Sequence, residues 1–178
     1  RTRGKKSEPH SDADDPPRQR ANKRRGRGTF ANDRLSTLGI VGRESGSLRL
    51  IVCPDTRQVT IVPKVEALTD PAVCLYTDGA NAYTPVAKGD TERTHYTVCH
   101  SKGEWAADRD GDGIREVHCN TIEGIWTGLR NFLRTFRGVH KKYLAQYVAM
   151  FEWSYNVKEV TKEYLRMLMQ PGYTFDPT

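Results

Sequence analysis

Nowhere in this sequence is there an apolar run approaching the roughly 20 residues that a membrane-spanning helix needs. Hydrophobic residues make up 37% of the chain, too few for a membrane protein. Cysteine is scarce and scattered. Cys53, Cys74, Cys99 and Cys119 form no Cys-x-x-Cys pair, which argues against a dense disulfide framework and against a zinc ribbon. The start carries neither a Met nor a basic-then-apolar signal pattern, so the expectation is a piece of a longer chain residing in a reducing cytoplasm. A phosphate-binding glycine loop is missing, as are the Ser-His and Cys-His signatures that would point to a small-molecule enzyme. No internal repeat is visible. The remaining length, 178 residues, suits one folded core with some tail.

Charge is informative once divided. Residues 1–34 hold 11 Lys+Arg against 5 Asp+Glu, while residues 35–178 balance at 17 of each. The whole net charge of +6 therefore sits in the first fifth. That segment contains Pro9, Pro16, Pro17 and the cluster Lys23, Arg24, Arg25 and Arg27, with almost nothing apolar before Phe30, so it cannot build a core. It reads either as a solvated basic tail or as an arm for phosphates.

From Leu35 the pattern becomes short apolar stretches separated by turns. Leu38–Val41, the turn Glu44-Ser45-Gly46-Ser47 and Leu48–Cys53 predict a β-hairpin. Val59–Val62 follows, then Pro63 as the opening of a short helix through Leu68. Val73-Cys74-Leu75-Tyr76 running into Thr77-Asp78-Gly79 predicts a buried strand that ends at an acid, and Thr94–Cys99 predicts another strand. Residues 101–117 are polar and glycine-rich and read as a loop. Ile122, Ile125, Trp126, Leu129, Phe132, Leu133 and Phe136 form one stripe of a helix over 121–136, which Gly138 should close. A second helix is expected over 141–156, burying Tyr143, Leu144, Tyr147, Val148, Phe151 and Tyr155. Thr161 should cap a third through Met169, before Pro171-Gly172. Strands early and helices late predict an α/β fold with a mixed sheet.

Two places carry candidate chemistry. Asn120, Glu123 and Arg130 stand about one and two helical turns apart, so they should share a rim. Arg134, Arg137, Lys141 and Lys142 extend positive charge from it, and Glu123 is the sole acid between residues 121 and 142. A lone carboxylate among cations suits an anionic substrate; an ordinary solvated face with an intrahelical charge pair is the alternative. Asp78, at the end of a strand and before a glycine, can hold a metal, because strand ends are where open α/β sheets place sites. It can equally be a simple turn residue. If Asp78 and Glu123 converge, they present hard oxygen donors suited to Mg²⁺ or Mn²⁺.

Two further patterns carry less weight. Asp108-Arg109-Asp110-Gly111-Asp112-Gly113 matches the start of a calcium-binding EF-hand loop, but its twelfth position is Cys119 where a bidentate Glu belongs. Cys99-His100 and His118-Cys119 offer four zinc-type ligands at spacings unlike a finger.

Taken together, the segments resemble the ribonuclease-H-like DDE transposases of insertion sequences, in the group called insertion-sequence family fifteen-ninety-five, or ISXO-two-like. The stretches that carry the likeness are Gly39-Ile40-Val41-Gly42-Arg43-Glu44-Ser45-Gly46, Tyr76-Thr77-Asp78-Gly79 with Tyr83, and His118-Cys119-Asn120-Thr121-Ile122-Glu123-Gly124-Ile125-Trp126. It continues through Leu129-Arg130, Phe136-Arg137-Gly138-Val139-His140-Lys141-Lys142-Tyr143-Leu144 and Glu152-Trp153-Ser154-Tyr155-Asn156. The resemblance covers about residues 20–160. It implies a ribonuclease-H-like mixed β-sheet flanked by α-helices and metal-dependent strand cleavage and transfer on transposon-end and target DNA. In it, Asp78 is the second metal-binding aspartate, Glu123 the closing acid, and Asn120 an orienting or metal-shell residue. Arg130 stands where many relatives carry Lys.

Relatives place their first catalytic Asp, usually in an Asp-Glu pair, on a strand just upstream of the segment resembling residues 1–34, and carry an N-terminal DNA-recognition module that is often zinc-binding. The likeness therefore implies a domain whose N-terminal part is missing, and allows a truncated, inactive copy. Asp12, Asp14 and Asp15 lie in the polar segment, not on an apolar strand, and take no such role. The expected division is a basic segment over 1–34, the catalytic domain over 35–160, and a C-terminal helix and tail over 161–178. Such enzymes often act as homo-oligomers on paired DNA ends, though no residue here sets a number. The competing reading is a non-catalytic nucleic-acid-binding module that grips phosphates with the basic segment and the basic helix.

Overall fold

The computed structural model of the protein describes residues 35–87 and 92–169. The expectations for residues 1–34, including Lys23, Arg24 and Arg25, and for the tail from residue 170 lie outside the described residues.

Strands β1 (Ser36–Val41) and β2 (Leu48–Cys53) form the expected antiparallel hairpin, with Val41 opposite Leu48 and Ser36 opposite Cys53. The connecting turn is held by the Gly42 N–H donating to Ser47 O at 2.9 Å. Alternation along the strands sorts side chains onto two faces. Leu38, Ile40, Ile51 and Cys53 pack with Ile61 and Val65 of α1 (Gln58–Leu68). Leu48, Leu50 and Val52 pack with Ile125 and Leu129 of α2 (Asn120–Thr135) and with Val148 of α3 (Leu144–Asn156). The hairpin is thus covered by helices on both sides.

At Gly39 this packing leaves no room. A Cβ there would stand 2.7 Å from the Trp126 ring and 2.9 Å from Ile122, both on α2. Gly39→Ala should therefore destabilise the protein by about 1–3 kcal/mol, the usual cost of overpacking a core. Denaturant midpoints check this, and an unchanged midpoint would show that α2 can shift freely on the hairpin.

The helix expected to open at Pro63 begins earlier, at Gln58, with Pro63 inside it. Proline removes one helical hydrogen bond, but burial of Ile61 and Val65, one turn apart, holds the helix to the sheet. Strand β3 (Cys74–Thr77) pairs in parallel with β4 (Thr94–Thr97), Cys74 lying opposite Thr94. The expectation of a buried strand needs correction, because Cys74 is exposed and Leu75–Thr77 only half-buried. Among the described residues β4 alone pairs with β3, on one edge. The stretch expected as a loop contains β5 (Ala106–Ala107) and β6 (Val117–His118), an antiparallel pair too short for any periodicity to betray.

Strands therefore pair in both senses, but as three two-stranded sheets among the described residues. The α/β class holds.

Helix α2 runs one residue short of the expected end. The chain turns out of it through Arg137, at φ 52°, and Gly138, at φ 116°. The second helix starts with a 3₁₀ turn over Lys141–Tyr143, which leaves Tyr143 exposed where a buried position was expected. Thr161 caps α4 (Lys162–Leu168) as anticipated, its Oγ1 accepting from the Tyr164 N–H at 3.1 Å.

The outer edge of β2 is closed by side chains of α3. Asn156 accepts from the Leu48 N–H and donates to the Leu48 carbonyl, both at 2.8 Å. One turn earlier, Glu152 accepts from the Leu50 N–H at 2.6 Å and pairs with Arg49 at 3.1 Å. Polar side chains here do what a neighbouring strand would otherwise do.

Candidate functional site

Asp78 follows the last residue of β3 and is exposed. One of its oxygens accepts from the Ala80 N–H at 3.2 Å, and Gly79 completes the turn at φ 73°. The turn and the strand-end position thus coexist. At Gly79 the positive φ favours glycine, and a Cβ would also come within 3.3 Å of the Val98 carbonyl.

Glu123 lies in the first turn of α2, where the helix dipole favours a negative charge, with Asn120 opening the helix. The carboxylate does not pair with Arg130, whose guanidinium instead donates to Thr127 Oγ1 at 3.2 Å. Its partner is His100, with Nδ1 at 3.4 Å from Oε1.

Asp78 and Glu123 come from elements far apart in sequence, yet both act on one buried thiol. Cys119 is pushed up to about 11, first by burial, then by the charges of Asp78 and Glu123, against a smaller opposing effect of Arg43. Burial first, and then Asp78, likewise raise the Tyr83 phenol. Glu123 acts from one turn along the same helix start, its N–H donating to the Cys119 carbonyl at 3.1 Å, and Asp78 acts from the end of β3. Both are exposed, and both offer hard oxygen donors that fit a Mg²⁺-type ion with water or phosphate completing the shell.

Cations line the continuation of α2. Arg130, Arg134, Arg137 and Lys142 are exposed, and Lys141 is half-buried. Arg134 donates to Asn131 at 3.2 Å, and the Lys142 ammonium lies 5.8 Å from the Tyr143 ring centre. Among the described residues, no carboxylate pairs with Arg130, Arg134, Arg137 or Lys142.

Sequence reasoning missed Arg43. Its guanidinium donates to the carbonyls of Glu116 and His118 and lies 4.1 Å over the Tyr76 ring. From the hairpin turn it ties down β6 two residues before Asn120 and β3 two residues before Asp78. An arginine in a turn carries no local signal of such contacts.

The two weaker patterns resolve differently. Asp108, Asp110 and Glu116 bring ligand atoms within 4.8 Å of one another, the one such grouping among the described residues. Asp108 already accepts from the Gly111 and Gly113 N–H groups at 2.7 and 2.8 Å, and the third acid is Glu116 rather than an EF-hand twelfth residue. Cys99, His100, His118 and Cys119 do not gather into a zinc-type cluster.

The sequence matches the ISXO2-like transposase domain over residues 10–156. A protein of Halobacterium salinarum (strain ATCC 700922 / JCM 11081 / NRC-1), described as "Uncharacterized protein in transposable element ISH50", is 31% identical over 158 residues. The aligned region takes in 88% of this chain and 51% of that protein, so the chain spans about half the length of this relative. No solved structure matches. Among the described residues no helix is long and apolar enough to cross a membrane.

Proposed function

Because the chain belongs to the ISXO2-like transposase domain family, we propose that it forms the catalytic part of a DDE-type transposase, a polynucleotidyl transferase that cleaves and joins DNA strands. The observation that carries this reading is the family match over residues 10–156, within which Asp78 stands directly after β3 and Glu123 in the first turn of α2. Carboxylates after a strand and at a helix start are the hard oxygen donors that phosphoryl transfer by two-metal chemistry uses. A ribonuclease-H-like arrangement is supported by the hairpin, the parallel pair β3–β4 and the acid directly after β3.

Asp78 and Glu123 are the residues that would hold Mg²⁺ or Mn²⁺. Such an ion, when bound, supplies charge stabilisation at the phosphate and lowers the pKa of an attacking hydroxyl. The protein's own part is positioning. The Ala80 N–H orients one oxygen of Asp78, His100 orients Glu123, and the Asn120 amide at the head of α2 offers a donor and an acceptor to the bound phosphate or its water. Arg130, Arg134, Arg137, Lys141 and Lys142 hold the DNA backbone as it leaves the site. Lys23, Arg24 and Arg25 add further phosphate contacts.

DNA binding tests the cationic face. Arg130→Ala combined with Arg134→Ala should lower duplex affinity several-fold and flatten its dependence on salt by about two counterions. Fluorescence anisotropy at several salt concentrations reads both. An unchanged slope would remove this face from the DNA path. Strand nicking that requires a divalent ion is the test of catalysis.

A further inference from the structure

Trp105 is an anomaly in a polar segment. It is 62% exposed. Its backbone is not loose. The preceding turn is fastened by Gly103 N–H to His100 O at 3.0 Å and Glu104 N–H to Cys99 O at 3.2 Å. The Glu104 carboxylate accepts from the Cys99 N–H at 3.1 Å, and Arg109 joins Glu104 at 3.7 Å and the Thr97 carbonyl at 3.0 Å. Immediately afterwards the chain enters β5, which pairs with β6 ahead of α2.

Among the described residues, one ring backs the indole. His100 lies against it, with centroids 4.7 Å apart and planes inclined at 34°. The same imidazole reaches Glu123 at 3.4 Å. A rigidly mounted, solvent-facing indole thus sits one side chain away from a carboxylate of the candidate site.

We propose that Trp105, backed by His100, is a stacking platform for one unpaired DNA base beside the scissile phosphate. This rests on the transposase reading above. An exposed aromatic face recognises bases without regard to sequence, because every base has a π-face. After Trp105 the loop carries Asp108, Asp110, Asp112 and Glu116 against Arg109 and Arg115, a net negative stretch that gives the phosphates of a duplex little attraction. A stacked base makes no demand on that charge. The ligand class is therefore a single-stranded or frayed end, and the platform would hold an end nucleotide in register while the cations of α2 hold the backbone.

The test uses the full chain, a short single-stranded oligonucleotide carrying a fluorescent adenine analogue that dims on stacking, and a blunt duplex of the same sequence. Trp105→Ala should lose about ten-fold in single-strand affinity, the size of one base-on-aromatic contact, while Trp105→Phe loses less than about three-fold. Analogue dimming should disappear in the alanine variant and persist in the phenylalanine variant. The ratio of wild-type to alanine affinity should stay constant as salt is raised, although both affinities fall, because stacking releases no counterions. Duplex affinity should stay within about two-fold of wild type.

Equal losses on single strand and duplex, or no loss on either, would overturn the platform while leaving the transposase reading intact. Failure of the wild-type chain to bind either DNA would defeat both. Circular dichroism of both variants checks that an exposed side chain was removed without disturbing the fold.

Discussion

Asp78→Asn and Glu123→Gln should each lower divalent-metal-dependent strand cleavage on the order of a thousand-fold, because each removes a ligand from chemistry that depends on converging negative charge. Thermal stability should hardly move, since both side chains are exposed. Plasmid nicking measured with Mg²⁺ and with Mn²⁺, beside melting curves, separates loss of chemistry from loss of fold. Cleavage retained in either variant would remove that residue from the site.

A second readout does not depend on turnover. The Cys119 thiol is held at about 11 by burial and by the two nearby carboxylates. Neutralising either carboxylate should lower that value, and burial should keep it above the ordinary thiol range. Alkylation rates of Cys119 across alkaline pH, in a variant lacking the exposed Cys74 and the half-buried Cys99, would follow the change. No displacement in either variant would mean that Asp78 and Glu123 do not share one locus.

The other large effect concerns the clamp between α3 and β2. Glu152→Ala and Asn156→Ala should each destabilise the protein by about 2–3 kcal/mol, because each leaves a backbone group of β2 without its partner in a half-buried place. Glu152→Gln should cost much less, since the amide oxygen can still accept from Leu50. The double alanine variant should fall short of the sum, as both side chains hold the same strand edge one helical turn apart. Chemical denaturation measures all four. A loss below about 0.5 kcal/mol for both single variants would show that water replaces the clamp. The motif Glu152-Trp153-Ser154-Tyr155-Asn156, which helped mark the resemblance, thus has a structural reason that involves no chemistry.

These outcomes also show where sequence reasoning reached. The hairpin was legible because Leu38–Val41 and Leu48–Cys53 flank a turn whose residues leave few alternatives. Helix α2 was legible because seven apolar residues fall on one stripe, and the cap of α4 because Thr161 stands directly before it. Pro63 misplaced the start of α1, since burial of Ile61 and Val65 outweighs one lost hydrogen bond. The pair β5–β6 left no trace, because two-residue strands have no period.

The candidate site divides in the same way. The sequence by itself determined that Asp78 stands at a strand's end, directly after its last residue, that Asn120 and Glu123 open a helix, and that cations follow along it, since each of these depends on residues near in the chain. The tertiary structure alone decided that the charge of Asp78 is felt at Cys119, that Glu123 meets His100 rather than Arg130, and that Arg43 fastens both site segments from a distant turn. Those contacts join residues separated by 20 or more positions, and the composition of a segment holds no record of what chain closure brings against it.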